Sequence, residues 1–281
     1  MLSYRHSYHA GNHADVLKHL ILVQLLQYLR QKDKAFWVVD THAGAGMYAL
    51  DSEHATKLGE FAGGIGRLWS RTDLPPAVSD YVAEVRAINR DETLLSYPGS
   101  PWLAQRALRE QDRLRLFELH STDYRLLDNH FANYGKQIMV YADDGFATLK
   151  ALLPPPSRRG LVLIDPSYEL REDYTRLLDV MRDALTRFAT GTYAIWYPML
   201  NKSDSRNLPD KLKELAGDSW LHVNLQVREP DITGFGMHGS GMFIINPPWT
   251  LAKTLQEVMP WLRDALADGA GARFTLESQS R

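Results

Sequence analysis

The run Val38-Val39-Asp40-Thr41-His42-Ala43-Gly44-Ala45-Gly46 constrains this chain more than any other stretch: an apolar strand ends in an acid and turns through two glycines. A strand of that kind belongs inside an open α/β sheet, where a small-residue turn lets the backbone approach a ligand closely. The spacing Asp-x-x-x-Gly-x-Gly lacks the third glycine of a dinucleotide loop and the Gly-Lys-Ser/Thr of a phosphate loop. A pyrophosphate cradle is therefore not expected. A cofactor without phosphate, such as S-adenosylmethionine, suits the turn better.

The rest of the chain extends that sheet. Apolar residues at 16, 17, 20, 21, 25 and 29 fall on one face of a helix predicted over 14–29, starting near Asn12 or His13. Strands are expected at 36–40, 114–118, 137–141, 160–165 and 192–196. The last four are spaced widely enough for crossover helices, and hence for a parallel arrangement. Two further strands, 221–227 and 241–246, enclose a Pro- and Gly-containing loop and read as an antiparallel C-terminal hairpin. The connection from the first strand to the second is far longer than usual. Helical patterns at 59–70 and 77–89, broken by Leu74-Pro75-Pro76, predict a small inserted helical subdomain over 50–97, with 1–49 and 98–281 forming the main domain. The fold class is α/β, with a mostly parallel seven-stranded sheet. Pro154-Pro155-Pro156 reads as a rigid connector into a strand.

Composition removes several classes of chemistry. The 281 residues are 44% hydrophobic, enough for a full α/β core, and contain no cysteine, so thiolate nucleophiles, thiolate metal sites and disulfides are excluded. No run approaches the roughly 18 apolar residues of a membrane span, and the polar, histidine-rich start lacks a signal-peptide core. A cytoplasmic protein is expected. The net charge of −2 neither supports nor excludes a nucleic-acid partner.

Leu161-Val162-Leu163-Ile164-Asp165-Pro166-Ser167-Tyr168 carries the second signal, a buried strand ending in an acid, a proline and an aromatic residue. An exocyclic amine is a weak nucleophile because its lone pair is conjugated with the ring. Hydrogen bonds to the Asp165 carboxylate and the Pro166 carbonyl would favour the tetrahedral nitrogen, while Tyr168 would stack on a flipped base. Read alone, the segment also fits a capped strand end. Amino-directed methyltransferases carry Asp/Asn-Pro-Pro-aromatic at this strand, and Ser167 departs from it. Asn246-Pro247-Pro248-Trp249 matches the motif more closely but ends an antiparallel strand, which places it at the opposite sheet edge as a structural turn.

Other candidates sit at neighbouring strand ends. Glu118 is placed to accept hydrogen bonds from ribose hydroxyls, Asp144-Gly145 lies where an adenine amine would sit, and Ser100 lies at the return from the insertion. Lys18 and His19 begin the long helix on what reads as its polar side, in reach of a ligand carboxylate or an RNA phosphate. His6, His9, His13 and His19 invite a metal reading, but their spacing spreads them over different faces and no His-Glu-x-x-His is present, so no metal is expected.

The segment 1–19, Met1-Leu2-Ser3-Tyr4-Arg5-His6 onward to Lys18-His19, closely resembles the RlmJ family of bacterial 23S ribosomal RNA adenine-N6 methyltransferases. So do Asp40–Gly46, Tyr97-Pro98-Gly99-Ser100-Pro101, Arg158-Arg159-Gly160 and the late Asn246-Pro247-Pro248-Trp249. The resemblance implies a Rossmann-like methyltransferase that uses S-adenosylmethionine, releases S-adenosylhomocysteine and needs no metal. It implies cofactor contacts at Lys18, His19, His42, Ser100, Glu118, Asp144, Gly145 and Asp165. It places Asp165, with Pro166 and Tyr168, at the acceptor amine, and Tyr4 and His6 beside the substrate pocket. It further implies a monomer acting on 23S ribosomal RNA that is protein-free or early in assembly, with no membrane partner. The motifs alone leave open an amine in DNA or a protein glutamine, a non-catalytic RNA-binding protein retaining the cofactor fold, and a histidine-bound metal hydrolase.

Overall fold

A computed structural model describes residues 5–90, 93–231 and 236–280. After a 3-10 turn at His6–Tyr8, the chain forms α1 (His13–Arg30), β1 (Trp37–Asp40) and β2 (Met47–Ala49). The inserted stretch carries α2 (Glu53–Leu58), a 3-10 turn at Glu60–Gly63, α3 (Ile65–Trp69) and α4 (Pro76–Arg86), and returns through β3 (Ser96–Pro98). Then come α5 (Ser100–Ala107), β4 (Arg113–Phe117), α6 (Ser121–Phe131), β5 (Ile138–Tyr141), α7 (Gly145–Leu152), β6 (Gly160–Ile164), α8 (Arg171–Arg187) and β7 (Thr192–Met199). The chain closes with α9 (Ser203–Ala216), β8 (Trp220–Gln226), β9 (Gly239–Ile245), α10 (Leu251–Leu266) and β10 (Arg273–Gln279).

The main sheet runs in the order β10-β8-β9-β7-β6-β1-β4-β5. From β7 to β5 the neighbours are parallel, whereas β9 is antiparallel to both β7 and β8. After β1 the chain builds outward to β4 and β5, then returns to lay β6 on the other side of β1. The topological switch therefore falls between β1 and β6, where their carboxyl ends diverge and leave a crevice.

Eight strands stand where seven are expected. The additional one, β10, pairs antiparallel with β8 from Arg273↔Gln226 to Gln279↔Trp220. Its half-exposed sequence holds only Phe274 and Leu276 as large apolar residues, too sparse a pattern to announce a strand. A separate two-stranded ribbon, β2 with β3, brackets the insertion.

The helix α1 is buried almost all round. One side packs on the sheet, and the other is covered by the insertion, whose Ile65, Leu68, Val78, Tyr81, Val82 and Val85 share one hydrophobic cluster with Val16, Leu20 and Ile21. The inserted helices thus extend the core of the sheet. This corrects the expectation of a solvated polar face on α1: Lys18 and His19 are buried. Asn12 caps the helix, its Oδ1 accepting from the amides of Ala14 and Asp15 at 2.9 and 3.0 Å. No helix among the described residues is long and apolar enough to cross a membrane.

Candidate active site

Outside the carboxyl ends of β1, β4, β5 and β6 lies a cleft open to solvent. It takes one turn from each strand and the N-terminal part of α1, so it forms at the point the topology predicts.

Its floor is an ionic chain. Lys18 Nζ donates to Asp165 Oδ2 at 2.5 Å and to Asp15 Oδ1 at 2.9 Å. The other Asp15 oxygen accepts from the Gly11 amide at 2.9 Å and meets His6 Nε2 at 2.9 Å. Burial opposes both charges in the inner pair. Even so, Asp15 and Asp165 raise the Lys18 pKa above that of an ordinary lysine, and His6 and Lys18 hold the Asp15 carboxyl well below the usual range. Asp15 is a residue the sequence reading missed. An acid one turn before a lysine on a helix ordinarily signals a solvated pair, and only the covering insertion makes it an internal one.

Asp40 ends β1 almost fully buried, with Oδ2 accepting from Ser100 Oγ at 2.6 Å and Oδ1 from the His42 amide at 3.3 Å. Burial pushes its pKa up to about 6. The Ser100 proton is thereby committed to Asp40, which leaves the Ser100 oxygen as an acceptor toward the cleft. Burial likewise pushes the His42 pKa down to about 4, so its ring is neutral. Thr41 Oγ1 spends its single proton on the Leu163 carbonyl at 3.1 Å, so it must accept from His42 Nδ1 at 2.8 Å. His42 therefore carries its proton on Nδ1 and offers Nε2 as an acceptor. Gly44 has φ +62°, and a Cβ there would stand 2.2 Å from the Tyr48 hydroxyl. Its amide donates to Glu118 Oε2 at 2.8 Å, while the His120 amide donates to Glu118 Oε1 at 2.6 Å. Each carboxylate oxygen keeps a lone pair for a further donor.

Asp144 caps α7 through Oδ1, accepting from the amides of Phe146 and Ala147, and its Oδ2 accepts from Arg176 Nη2 at 2.5 Å. Although burial pushes its pKa up, Arg176 and the helix amides hold it below the ordinary carboxylate value. Arg176, from α8, lines the cleft and is another residue missed from sequence. Gly145 is needed for close packing, because a Cβ there would meet the Thr41 carbonyl oxygen at 2.3 Å.

Asp165, Pro166 and Ser167 line the cleft, as do His6, Lys18, His19, His42, Ser100, Glu118, Asp144 and Gly145. Tyr168 does not. Its φ of +52° turns it inward, where it is 3% exposed, its hydroxyl donating to the Trp196 carbonyl at 2.7 Å and its ring against Tyr174. The expected stacking platform is thus part of the core. Tyr4 lies outside the described residues. Asn246 packs at the opposite sheet edge, donating from Nδ2 to the carbonyls of Ala189 and Gly191 at 2.8 Å each, so Asn246-Pro247-Pro248-Trp249 is a structural turn. His9 pairs with Glu60 of the insertion at 3.0 Å. No group of three or more metal-ligating side chains occurs among the described residues.

The cleft therefore presents fixed acceptors at Glu118, His42 and Ser100, an anchored carboxylate at Asp165, and a buried ammonium at Lys18. Such a set suits a ligand with a diol at one end, charged amino-acid groups at the other, and an acceptor amine approaching Asp165.

Residues 33–276 match the family described as "RsmJ: Ribosomal RNA large subunit methyltransferase D, RlmJ". The chain is 46% identical over 278 residues to the "Ribosomal RNA large subunit methyltransferase J" of Haemophilus influenzae, covering 99% of this chain and 98% of that one. It is 46% identical over 276 residues to the protein of the same name from Escherichia coli, covering 98% of each. The crystal structure of a Legionella pneumophila protein, 38% identical, superposes with a TM-score of 0.89 over 97% of this chain and 99% of that one.

Proposed function

The chain belongs to the RlmJ family of large-subunit ribosomal RNA methyltransferases, and from that premise we propose that it methylates the N6 amine of an adenine in 23S ribosomal RNA. The donor is S-adenosylmethionine and the product S-adenosylhomocysteine, with RNA that is protein-free or early in assembly as substrate, in the cytoplasm.

The residues of the cleft fit that cofactor. Glu118 would take the ribose hydroxyls, Asp144 and the Gly145 backbone the adenine edge, and Lys18, His19 and Ser100 the amino-acid end, while His42 Nε2 would accept from a further donor of the ligand. The cofactor supplies a methyl group made electrophilic by its sulfonium.

What the protein adds is placement of the acceptor. One Asp165 oxygen is held by Lys18. The other has no partner among the described residues and would accept from the amine, and Pro166 supplies a carbonyl with no competing backbone donor of its own. As the nitrogen gains the methyl group it sheds a proton, and the free Asp165 oxygen is the atom placed to receive it. The observation that carries this reading is the Asp165-Pro166 turn facing the Asp40–Gly46 turn across one cleft, with Asp165 fixed by Lys18.

The test is transfer of labelled methyl to deproteinised, unmodified 23S RNA, compared with duplex DNA and protein, followed by nucleoside analysis. N6-methyladenosine from the RNA alone is expected. Asp165→Ala should abolish transfer while retaining S-adenosylhomocysteine binding, and near-normal turnover in that variant would remove the mechanism.

A further inference from the structure

His19 poses an unsolved hydrogen-bond problem. It is 1% exposed and lines the cleft, yet its Nε2 has no partner among the described residues, while Nδ1 lies 2.8 Å from the Tyr97 hydroxyl. Burial pushes its pKa down to about 3, against the pull of Asp15, so the ring is neutral and holds one proton.

The neighbours decide which nitrogen carries it. Tyr97 Oη is also 2.8 Å from Tyr81 Oη, and both tyrosines are fully buried. Three polar groups stand in a row: Tyr81 Oη, Tyr97 Oη and His19 Nδ1. If His19 donated from Nδ1, one of the two phenolic protons would be left without an acceptor among the described residues. In the opposite direction Tyr81 donates to Tyr97 and Tyr97 donates to Nδ1, so both phenolic protons are satisfied. The imidazole proton then sits on Nε2.

We propose that Tyr97 is a positioning residue that locks His19 as the Nε2–H tautomer, a neutral donor for the carboxylate of the cofactor's amino-acid end. The carboxylate is the appropriate acceptor because the ribose hydroxyls find acceptors at Glu118, whereas a carboxylate carries no proton and needs a donor. Tyr81 lies on α4 of the insertion and Tyr97 on β3 at its return. The inserted segment thereby sets a proton in the cofactor site. The direction holds because Nε2 borders the cleft, where an acceptor can meet its proton, whereas Tyr81 is shut in the core; the identity of that acceptor rests on the methyltransferase reading.

Two variants separate positioning from packing, since each removes one buried hydroxyl from the same cluster. Tyr97→Phe strips Nδ1 of its donor, whereas Tyr81→Phe leaves the Tyr97 proton no acceptor except Nδ1 and so keeps the tautomer. Binding of S-adenosylhomocysteine by calorimetry should weaken roughly 10-fold in Tyr97→Phe and stay within about 2-fold in Tyr81→Phe. The decarboxylated analogue, carrying a thiopropylamine chain, should bind wild type and Tyr97→Phe alike. Histidine ¹⁵N NMR of the ligand-free protein should show the proton on His19 Nε2. Equal losses in both variants, equal losses with both ligands, or a proton on Nδ1 in the wild type would overturn the proposal. If the wild type bound no S-adenosylhomocysteine, the methyltransferase reading and the ligand half of this inference would fall together, while the NMR result would still decide the tautomer.

Discussion

The Lys18 ammonium touches the Asp165 carboxylate at 2.5 Å, joining the first helix of the chain to a strand end 147 residues away. The same ammonium holds Asp15 at 2.9 Å, so one buried cation serves two carboxylates. Lys18→Met would leave Asp165 without its countercharge and Asp15 with only His6 and the Gly11 amide. Breaking a buried ion pair from one side typically costs about 3–5 kcal/mol, and a loss of that order is expected in urea unfolding. Adding Asp15→Asn should restore part of it by removing one stranded charge. A single-variant loss below about 1 kcal/mol would show that water reaches this pair.

Gly145→Ala should damage binding and stability together. The new methyl group would stand 2.3 Å from the Thr41 carbonyl oxygen, a backbone atom that moves only if the β1 turn moves with it. A loss of about 1–3 kcal/mol is expected from such overpacking, along with weaker S-adenosylhomocysteine binding by calorimetry. Unchanged affinity in the folded variant would place the cofactor away from this contact.

Much of the architecture was legible because a buried parallel strand reads as an apolar run, and three of the five here run into a chemistry-bearing residue: Asp40, Glu118 and Asp165. What stayed hidden depends on contacts across the chain. Asp15 and Lys18 read as the solvated start of an amphipathic helix until the insertion covers them, and the internal pair then follows from the insertion's position alone. Tyr168 reads as an exposed aromatic in a catalytic motif, yet its positive φ folds the ring into the core against Tyr174. Arg176 carries no local signal, since it is one arginine of an exposed helix that happens to face Asp144. β10 escaped because an edge strand needs only one weakly apolar face.

Asp144 caps α7 and is proposed as a cofactor contact, and substitution can separate the two. As the cap of α7 it should cost about 1 kcal/mol when replaced by alanine, and as a cofactor contact its loss should also weaken S-adenosylhomocysteine binding. Arg176→Met keeps the cap and removes only the guanidinium at Oδ2. It should leave stability within about 1 kcal/mol, because the pair is partly exposed, and change only affinity. If both variants bound S-adenosylhomocysteine as wild type does, the pair would be structural and Asp144 would lose its claim as a cofactor contact.

Asp40 predicts an unusual pH dependence. Burial raises its carboxyl to about 6 in the folded chain, against the model-compound value of 3.8, so the folded state binds the proton more tightly than the unfolded state. Stability from this group is fully present below about pH 4 and is lost as pH rises through 6. The difference across that window amounts to about 3 kcal/mol. Glu118, also raised by burial, has the same sign, so the comparison must be made against a variant. Asp40→Asn retains an oxygen for the Ser100 hydroxyl and removes the titration, and its stability curve between pH 4 and 7 should rise relative to wild type by that amount. Ser100→Ala removes the hydrogen bond that favours the ionised form, and should carry the falling limb above pH 6. Parallel curves for wild type and Asp40→Asn in chemical denaturation would mean that Asp40 is ionised at no cost, and that the floor of the cleft is wet.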